Sequence, residues 1–468
     1  MLSDRRNPGQ SRWLLFGVTS SALLLVSIDG TVVATALPTL SHQLGASITW
    51  TTWTISAYGL GTVTGLPLAG RLSDELGRKR MFIAFAAIFA VASLCCGLVS
   101  NIFALVALRF VQSLGGSGLM PSTTGVISDV FGQDRDRPIG LMTSIFPLGA
   151  MLGPALGGVI VTFYSWRLIF LINVPICAFL IAVLWRLLPP DRIKVGPRLN
   201  IDILGSFLFA LALLGLMLGL SEMGELGQRS PLPWSVLAVS LLCWIGFAYR
   251  QKTSHNPVLP MEMLRERAFV VVNGLNLLYG AAAIGVFSLV PLFAQSKYGM
   301  SPLQAGALLI VRAGAMAVVA AASSLFVIRR YGYRRPIMIG FGILAVGLLM
   351  LAAPVGVTAA FGWLSLACII GGLGVGLAGP PSNNAALELM PNDVAVISGL
   401  RAMFRQSGSI VAISITGAAI GASGRASTVL PFVFGALALL TLVSVPAILG
   451  VPESHRHPAT DPQAVPGT

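Results

Sequence analysis

The sequence predicts an all-α polytopic membrane protein, on three observations. Hydrophobic residues make up 55% of the chain and charged residues only 10%, with a mean hydropathy of +0.84. A water-soluble domain carries about 25% charged residues, so most of this surface must face lipid. The apolar residues fall into runs of about 20, the length a helix needs to cross a bilayer, and the Lys and Arg residues gather in alternate loops between those runs.

Taken in order, the apolar runs place fourteen spans at 13–37, 50–70, 81–99, 102–127, 139–162, 167–187, 202–221, 233–250, 269–294, 303–328, 336–353, 357–382, 395–421 and 429–449. Met1 to Arg12 is short and basic and leads into a run long enough to span, so it reads as the approach to a first helix and not as a cleaved leader. With the N-terminus in the cytoplasm, only Arg167, Arg229, Lys297 and Arg425 lie in outer loops. Arg109, Arg312, Arg401 and Arg405 fall within spans, and the rest of the thirty basic residues are inside. Positive loops mark the cytoplasmic side. Both termini are therefore expected in the cytoplasm of a cell whose inner or plasma membrane holds the chain. The even count fits, because one missed span would invert every later loop.

The longest polar connections bracket one helical pair. This divides the chain into a six-helix bundle at 1–190, two inserted helices with their linkers at 191–260, a second six-helix bundle at 261–450, and a tail at 451–468 expected to be disordered. The two bundles echo each other weakly: the basic turn around Gly77 aligns with the one around Gly332. Internal repeats with a site at their interface are a mark of secondary transporters.

Other classes are excluded by what the spans hold. The net charge of +13 is dispersed between apolar runs and not gathered on one face, against nucleic acid. His42, His255, His455 and His457 all lie in loops or the tail, so no span offers an imidazole base, and no nucleotide-binding loop is present, against an enzyme or an ATP-driven pump. Cys95, Cys96, Cys177, Cys243 and Cys368 lack metal-ligand spacing. No cofactor or metal is expected. The expected partners are a small-molecule substrate, protons and membrane lipids, with the chain a monomer.

Several motifs are more specific. Residues Gly70 to Arg80 place Gly70, Asp74, Gly77, Arg78 and Arg80 at a tight basic turn. Residues Gly149 to Gly158 set Gly149, Gly153 and Gly157 at i, i+4, i+8, a flat helix face that another backbone can approach closely, with Pro154 as a kink point and Gly158 beside it. The first of these resembles the loop signature of the major facilitator superfamily, and the second the fifth-helix signature of its exporters. Ser27 to Pro38, Trp166 to Pro175 and Gly399 to Gly408 resemble the fourteen-helix drug:proton antiporters, the EmrB/QacA-like branch, and the likeness runs from residue 13 to 450. It implies the major facilitator fold, two six-helix bundles plus two inserted helices, and proton-coupled efflux of amphipathic small molecules by alternating access, with antibiotic resistance as a consequence. A narrow-specificity metabolite exporter or a proton symporter on the same scaffold is the alternative. The second-half turn lacks an acid matching Asp74, and Arg312 stands where such sequences are usually apolar.

An ionisable group inside a span is a functional candidate by default. Of seventeen acidic residues only Asp29 lies deep. It is eight residues before Leu37 and Arg109 is seven after Ile102, so at about 1.5 Å per residue both lie roughly 10–12 Å below the outer surface. Arg109 also resembles the superfamily's fourth-helix signature, whose Arg is linked to proton transfer. Burial favours the neutral acid and a nearby guanidinium the carboxylate, so a movement that separates the two would change protonation. Asp29 and Arg109 are the expected proton-coupling pair. Arg312, Trp53, Tyr58, Phe146, Tyr279 and Phe287 are candidates for a substrate cavity, and Arg405 for gating.

Overall fold

The computed structural model describes residues 8–131, 136–188, 202–227, 229–254, 266–387 and 394–451. Most of the polar connections expected at about 188–201 and 251–268 and the tail from 452 lie outside them, as do the side chains of Asp74 and Phe146. The described chain is helical throughout. The first half holds α1 (Pro8–Val32), α2 (Ile48–Leu76), α3 (Arg78–Leu98), α4 (Ile102–Phe131), α5 (Asp136–Phe163) and α6 (Asn173–Leu187). Between the halves run α7 (Ile203–Leu226) and α8 (Pro231–Thr253). The second half holds α9 (Arg267–Tyr279), α10 (Pro302–Ala322), α11 (Arg334–Ala352), α12 (Ala360–Leu387), α13 (Val394–Ser423) and α14 (Ala426–Val443). The helical path of α9 continues through a π-helical turn at Gly280–Gly285 and a tighter turn at Val286–Leu289 to Tyr298.

Local chemistry sets these boundaries. Ser301 and Gln304 form a reciprocal capping box at the start of α10, with Pro302 in the first turn. Gly77 breaks α2 from α3 at φ +101°, and Gly332 ends the helical path of α10 before α11 at φ +69°. Both glycines aligned by the internal echo therefore take backbone angles that side-chain-bearing residues rarely adopt.

Among the described residues, eleven segments are long and apolar enough to cross a membrane. The spans expected at 50–70, 139–162 and 395–421 lie in α2, α5 and α13, which fall outside that set. Composition explains two of the three. The first turns of α2 carry Thr49, Thr51, Thr52 and Thr54, several of whose hydroxyls donate to carbonyls of their own helix, and α13 carries Arg401, Arg405 and Gln406. Only Leu148–Phe163 of α5 is described with enough apolar length to be recognised, as a shorter helix.

These three helices occupy one place in the fold: α2 packs on α4 and α13, α5 on α1 and α10, and α13 on α2, α7 and α9. They form the seam between the halves, although α5 also keeps an exposed apolar face with Leu148, Leu152, Leu156 and Val159. At one end of this seam the halves close on each other. Gln295 Nε2 donates to the Thr35 carbonyl at 3.2 Å, Thr49 Oγ1 to the Gly417 carbonyl at 3.0 Å, and Gly158 abuts Pro302 and Leu303. A continuous apolar core from both halves, including Leu37, Leu40, Phe287, Phe293 and Leu308, seals this end.

The inserted pair is fastened to the same seam. Trp53 Nε1 donates to Ser221 Oγ of α7 at 2.7 Å, and Gly224 lies against the Ala418 backbone of α13. The start of α7 is tied to the end of α8 by Arg250 on Asp202 at 3.0 Å. Burial alone pushes the Asp202 carboxyl up, but the Gly205 N–H, Arg250 and Ser254 more than offset it and hold the group below the usual carboxylate range.

Candidate functional site

Asp29 and Arg109 meet at the centre of the first half, 1% and 0% exposed. Arg109 Nη1 lies 2.6 Å from Asp29 Oδ2. The other carboxylate oxygen accepts from Gln112 Nε2 at 3.0 Å and from Asn173 Nδ2 at 2.8 Å. Arg109 also donates to Gln112 Oε1 and to the carbonyls of Asp29 and Thr54. Ser93 Oγ accepts from Gln112 at 2.6 Å. The guanidinium carbon sits 4.1 Å from the Tyr58 ring centroid and 5.5 Å from that of Phe170. Five helices, α1, α2, α3, α4 and α6, thus contribute to one buried network around the Asp29–Arg109 pair.

Such enclosure is needed wherever a charge leaves water. A buried carboxylate persists only when its oxygens are paired and hydrogen-bonded, and charge-assisted bonds are about twice as strong as neutral ones. The cage can therefore hold the carboxylate while closed.

The glycine motif of α5 positions α1. A Cβ on Gly149 would fall 2.5 Å from Ser27 Cβ, one on Gly153 2.0 Å from Thr31 Oγ1, and one on Gly157 2.4 Å from Thr35 Oγ1. Two rows spaced i, i+4, i+8 thus interlock on either side of Asp29. An adjacent face of α5 meets the second half, with the Pro154 carbonyl 2.4 Å from a Cβ placed on Gly306 of α10. The Asp29 helix is thereby keyed to the helix that touches the other half.

The remaining candidates are dispersed. Tyr58 belongs to the ion cage, its hydroxyl donating to the Val26 carbonyl at 3.3 Å. Trp53 is 3% exposed and Phe287 1% exposed, so both are packing residues in this conformation. Tyr279 is half-buried, with its hydroxyl 3.4 Å from the Val375 carbonyl. Arg312 is half-buried above Phe287, 4.0 Å from its ring centroid, and donates through Nη2 to the Ala283 carbonyl in the π-helical turn. In the α2–α3 turn, Arg78 pairs with Asp129 at 2.5 Å and donates to the Gly125 carbonyl. Arg405 is exposed, while Arg401 is buried and donates to the Ser382 carbonyl. Asn173 and Ser93 were not among the expected site residues. Asn173 had a signal, as the one amide within the apolar span 167–187; Ser93 had none.

With the architecture and the caged acid in place, comparison is decisive on family. The model of the Major Facilitator Superfamily matches residues 19–413. The chain belongs to this superfamily. Among relatives in it, the multidrug transporter protein MdtP of Bacillus subtilis (strain 168) is 30% identical over 427 residues, spanning 90% of this chain and 78% of that one. The tetracenomycin C resistance and export protein of Streptomyces glaucescens is 29% identical over 414 residues, 87% and 75% of the two chains. Of solved superfamily structures, a D-xylose–proton symporter superposes with a TM-score of 0.65 at 14% identity, covering 94% of this chain and 97% of that one. The partially occluded inward-open xylose transporter XylE of E. coli gives 0.62 at 12% identity, with 95% and 99% covered. At those identities the structures show the fold alone. The chain is thus a multi-pass membrane transporter of this superfamily, with relatives named for multidrug and antibiotic resistance.

Proposed function

We propose that this protein is a proton-coupled antiporter exporting amphipathic small molecules by alternating access, of the fourteen-helix EmrB/QacA-like branch. On this reading α2, α5 and α13 also cross the membrane, giving six plus two plus six spans with both termini in the cytoplasm. Their polar faces are tolerated because protein covers them at the seam. The closed end then faces outward, and the conformation is inward-facing. Substrate class comes from the relatives named for multidrug transport and for resistance and export.

Proton coupling rests on one observation: Asp29, the single deep acid, is bonded by partners on two other helices, Arg109 and Gln112 on α4 and Asn173 on α6. Only a group whose partners can be withdrawn changes protonation with conformation. Rocking of the second half acts on α5 through Gly306, and α5 acts on α1 through the glycine ladder, so Asp29 moves relative to Arg109. The test is Asp29→Asn in proteoliposomes under an imposed proton gradient. Substrate-for-proton exchange is expected to fall to the rate of protein-free liposomes while the purified variant stays monodisperse. Exchange at the normal rate would rule Asp29 out as the carrier. Dye efflux that ignores an uncoupler would instead favour a transporter on this scaffold that is not proton-driven.

A further inference from the structure

The second half is electrostatically one-sided. No Asp or Glu occurs from Arg267 to Leu387 or from Val394 to Gly450, yet the spans of that stretch carry Arg312, Arg401 and Arg405. Arg401 is buried on the Ser382 carbonyl, and Arg405 is exposed at the cytoplasmic part of α13. Arg312 is different. It sits ten residues into α10 from Pro302, and Phe287 sits eleven residues back from Tyr298. At about 1.5 Å per residue both are roughly 15 Å from the closed end, near mid-depth.

Arg312 is under-used where it stands. A guanidinium offers five N–H groups, and the one hydrogen bond that it makes among the described residues is to the Ala283 carbonyl. Its Nε is fully buried without a partner, and no described carboxylate pairs with it. The Phe287 face below supports the positive charge but supplies no acceptor. Asp29, by contrast, has no spare capacity: one oxygen takes Arg109, the other takes Gln112 and Asn173. A cationic substrate finds no free acid at this depth. An anionic one finds a permanently charged fork with unpaired donors, the geometry that suits a carboxylate.

We infer that Arg312 recognises an anionic group of the substrate, so that among amphipathic molecules this transporter selects those bearing a carboxylate or a similar anion. The inference rests on the efflux reading and narrows its substrate class. Part of Arg312 remains exposed although it is in mid-helix, as an approach by substrate requires. The bond to Ala283 holds the guanidinium over the π-helical turn, and such turns are frequent at functional sites.

The experiment uses the full chain in efflux-deficient cells loaded with fluorescein (anionic), rhodamine 123 (cationic, on the same ring system) or Nile red (neutral). The wild type is expected to speed fluorescein efflux at least tenfold more than rhodamine 123 efflux. Arg312→Gln is expected to cut fluorescein efflux by a larger factor than Nile red efflux, and Arg312→Lys to restore part of the difference. Equal or faster efflux of rhodamine 123 by the wild type overturns anion selection and leaves efflux standing. Equal loss of all three dyes in a folded Arg312→Gln protein also overturns it, because Arg312 would then serve only to hold the π-helical turn. Efflux of none of the three by the wild type overturns the efflux reading itself, and the inference with it. If Arg312→Gln does not fold, the wild-type preference decides alone.

Discussion

Asp29 tolerates burial because each of its oxygens is bonded, and Arg109 tolerates it because its donors end on Asp29, Gln112 and two backbone carbonyls. The pair is therefore a unit, and breaking it is worse than removing it. Taking one partner from a buried ion pair costs about 3–5 kcal/mol, while an apolar replacement of both can be near neutral. Arg109→Met is accordingly expected to lower the unfolding temperature of the purified protein sharply, and Asp29→Asn combined with Arg109→Met to recover much of that loss. Thermal unfolding of the two singles and the double closes the cycle; strictly additive losses would mean that the two residues are not coupled. Asp29 was legible in the sequence as the single deep acid, and Arg109 by equal depth on another helix. That Ser93, Gln112 and Asn173 would close the cage was not, because they come together only when α3, α4 and α6 pack. For the same reason Trp53 and Phe287 read as cavity aromatics although their side chains are packed away here: composition and depth do not say which way a helix is turned.

At the scale of helices, hydropathy reports the solvent and not the span. Eleven segments are long and apolar enough to span, while α2 and α13 carry threonine and arginine where they pack on other helices. The glycine spacing on α5 was legible in advance as a close-approach face; that its partner would be the Ser27–Thr31–Thr35 row of α1 was not, since the pairing is tertiary. The contact is tight enough to test. At Gly153 a Cβ would meet Thr31 Oγ1 at 2.0 Å and the Ile28 carbonyl at 2.9 Å, whereas at Gly314 of α10 nothing lies within 4 Å. Overpacking costs about 1–3 kcal/mol, and a helical Gly-to-Ala change gains up to about 1 kcal/mol. Gly153→Val is therefore expected to destabilise the purified protein by at least about 2 kcal/mol and to slow exchange, because α1 is displaced from α5. Gly314→Ala is expected to be neutral or stabilising. Equal tolerance of both changes in thermal unfolding would show that the α1–α5 approach is loose.

For the whole molecule, the seam is where fold becomes mechanism. The two halves touch through Thr35 with Gln295, Thr49 with Gly417, and Gly158 with Pro302, all at the end the basic loops avoid. On the proposed cycle of alternating access these contacts part, as substrate would leave outward when α2 separates from α13 and α5 from α10. A covalent bond across the seam should then arrest the cycle without touching Asp29 or Arg312. Thr49 and Gly421 suit this purpose, because a Cβ on Gly421 would lie 2.6 Å from Thr49 Oγ1, which puts the two positions within reach of a disulfide. Cys95, Cys96, Cys177, Cys243 and Cys368 are replaced first, so that no other thiol responds. Thr49→Cys with Gly421→Cys is expected to exchange substrate normally when reduced, to stop on oxidation, and to resume on reduction, while each single variant ignores the oxidant. Continued exchange by the oxidised double variant would mean that this end does not open, and that the path to the outside runs elsewhere than between the halves. Arrest would locate the moving boundary at the seam of α2 and α13, against which α7 is packed, and the inserted pair would then ride on the gate instead of lying idle beside it.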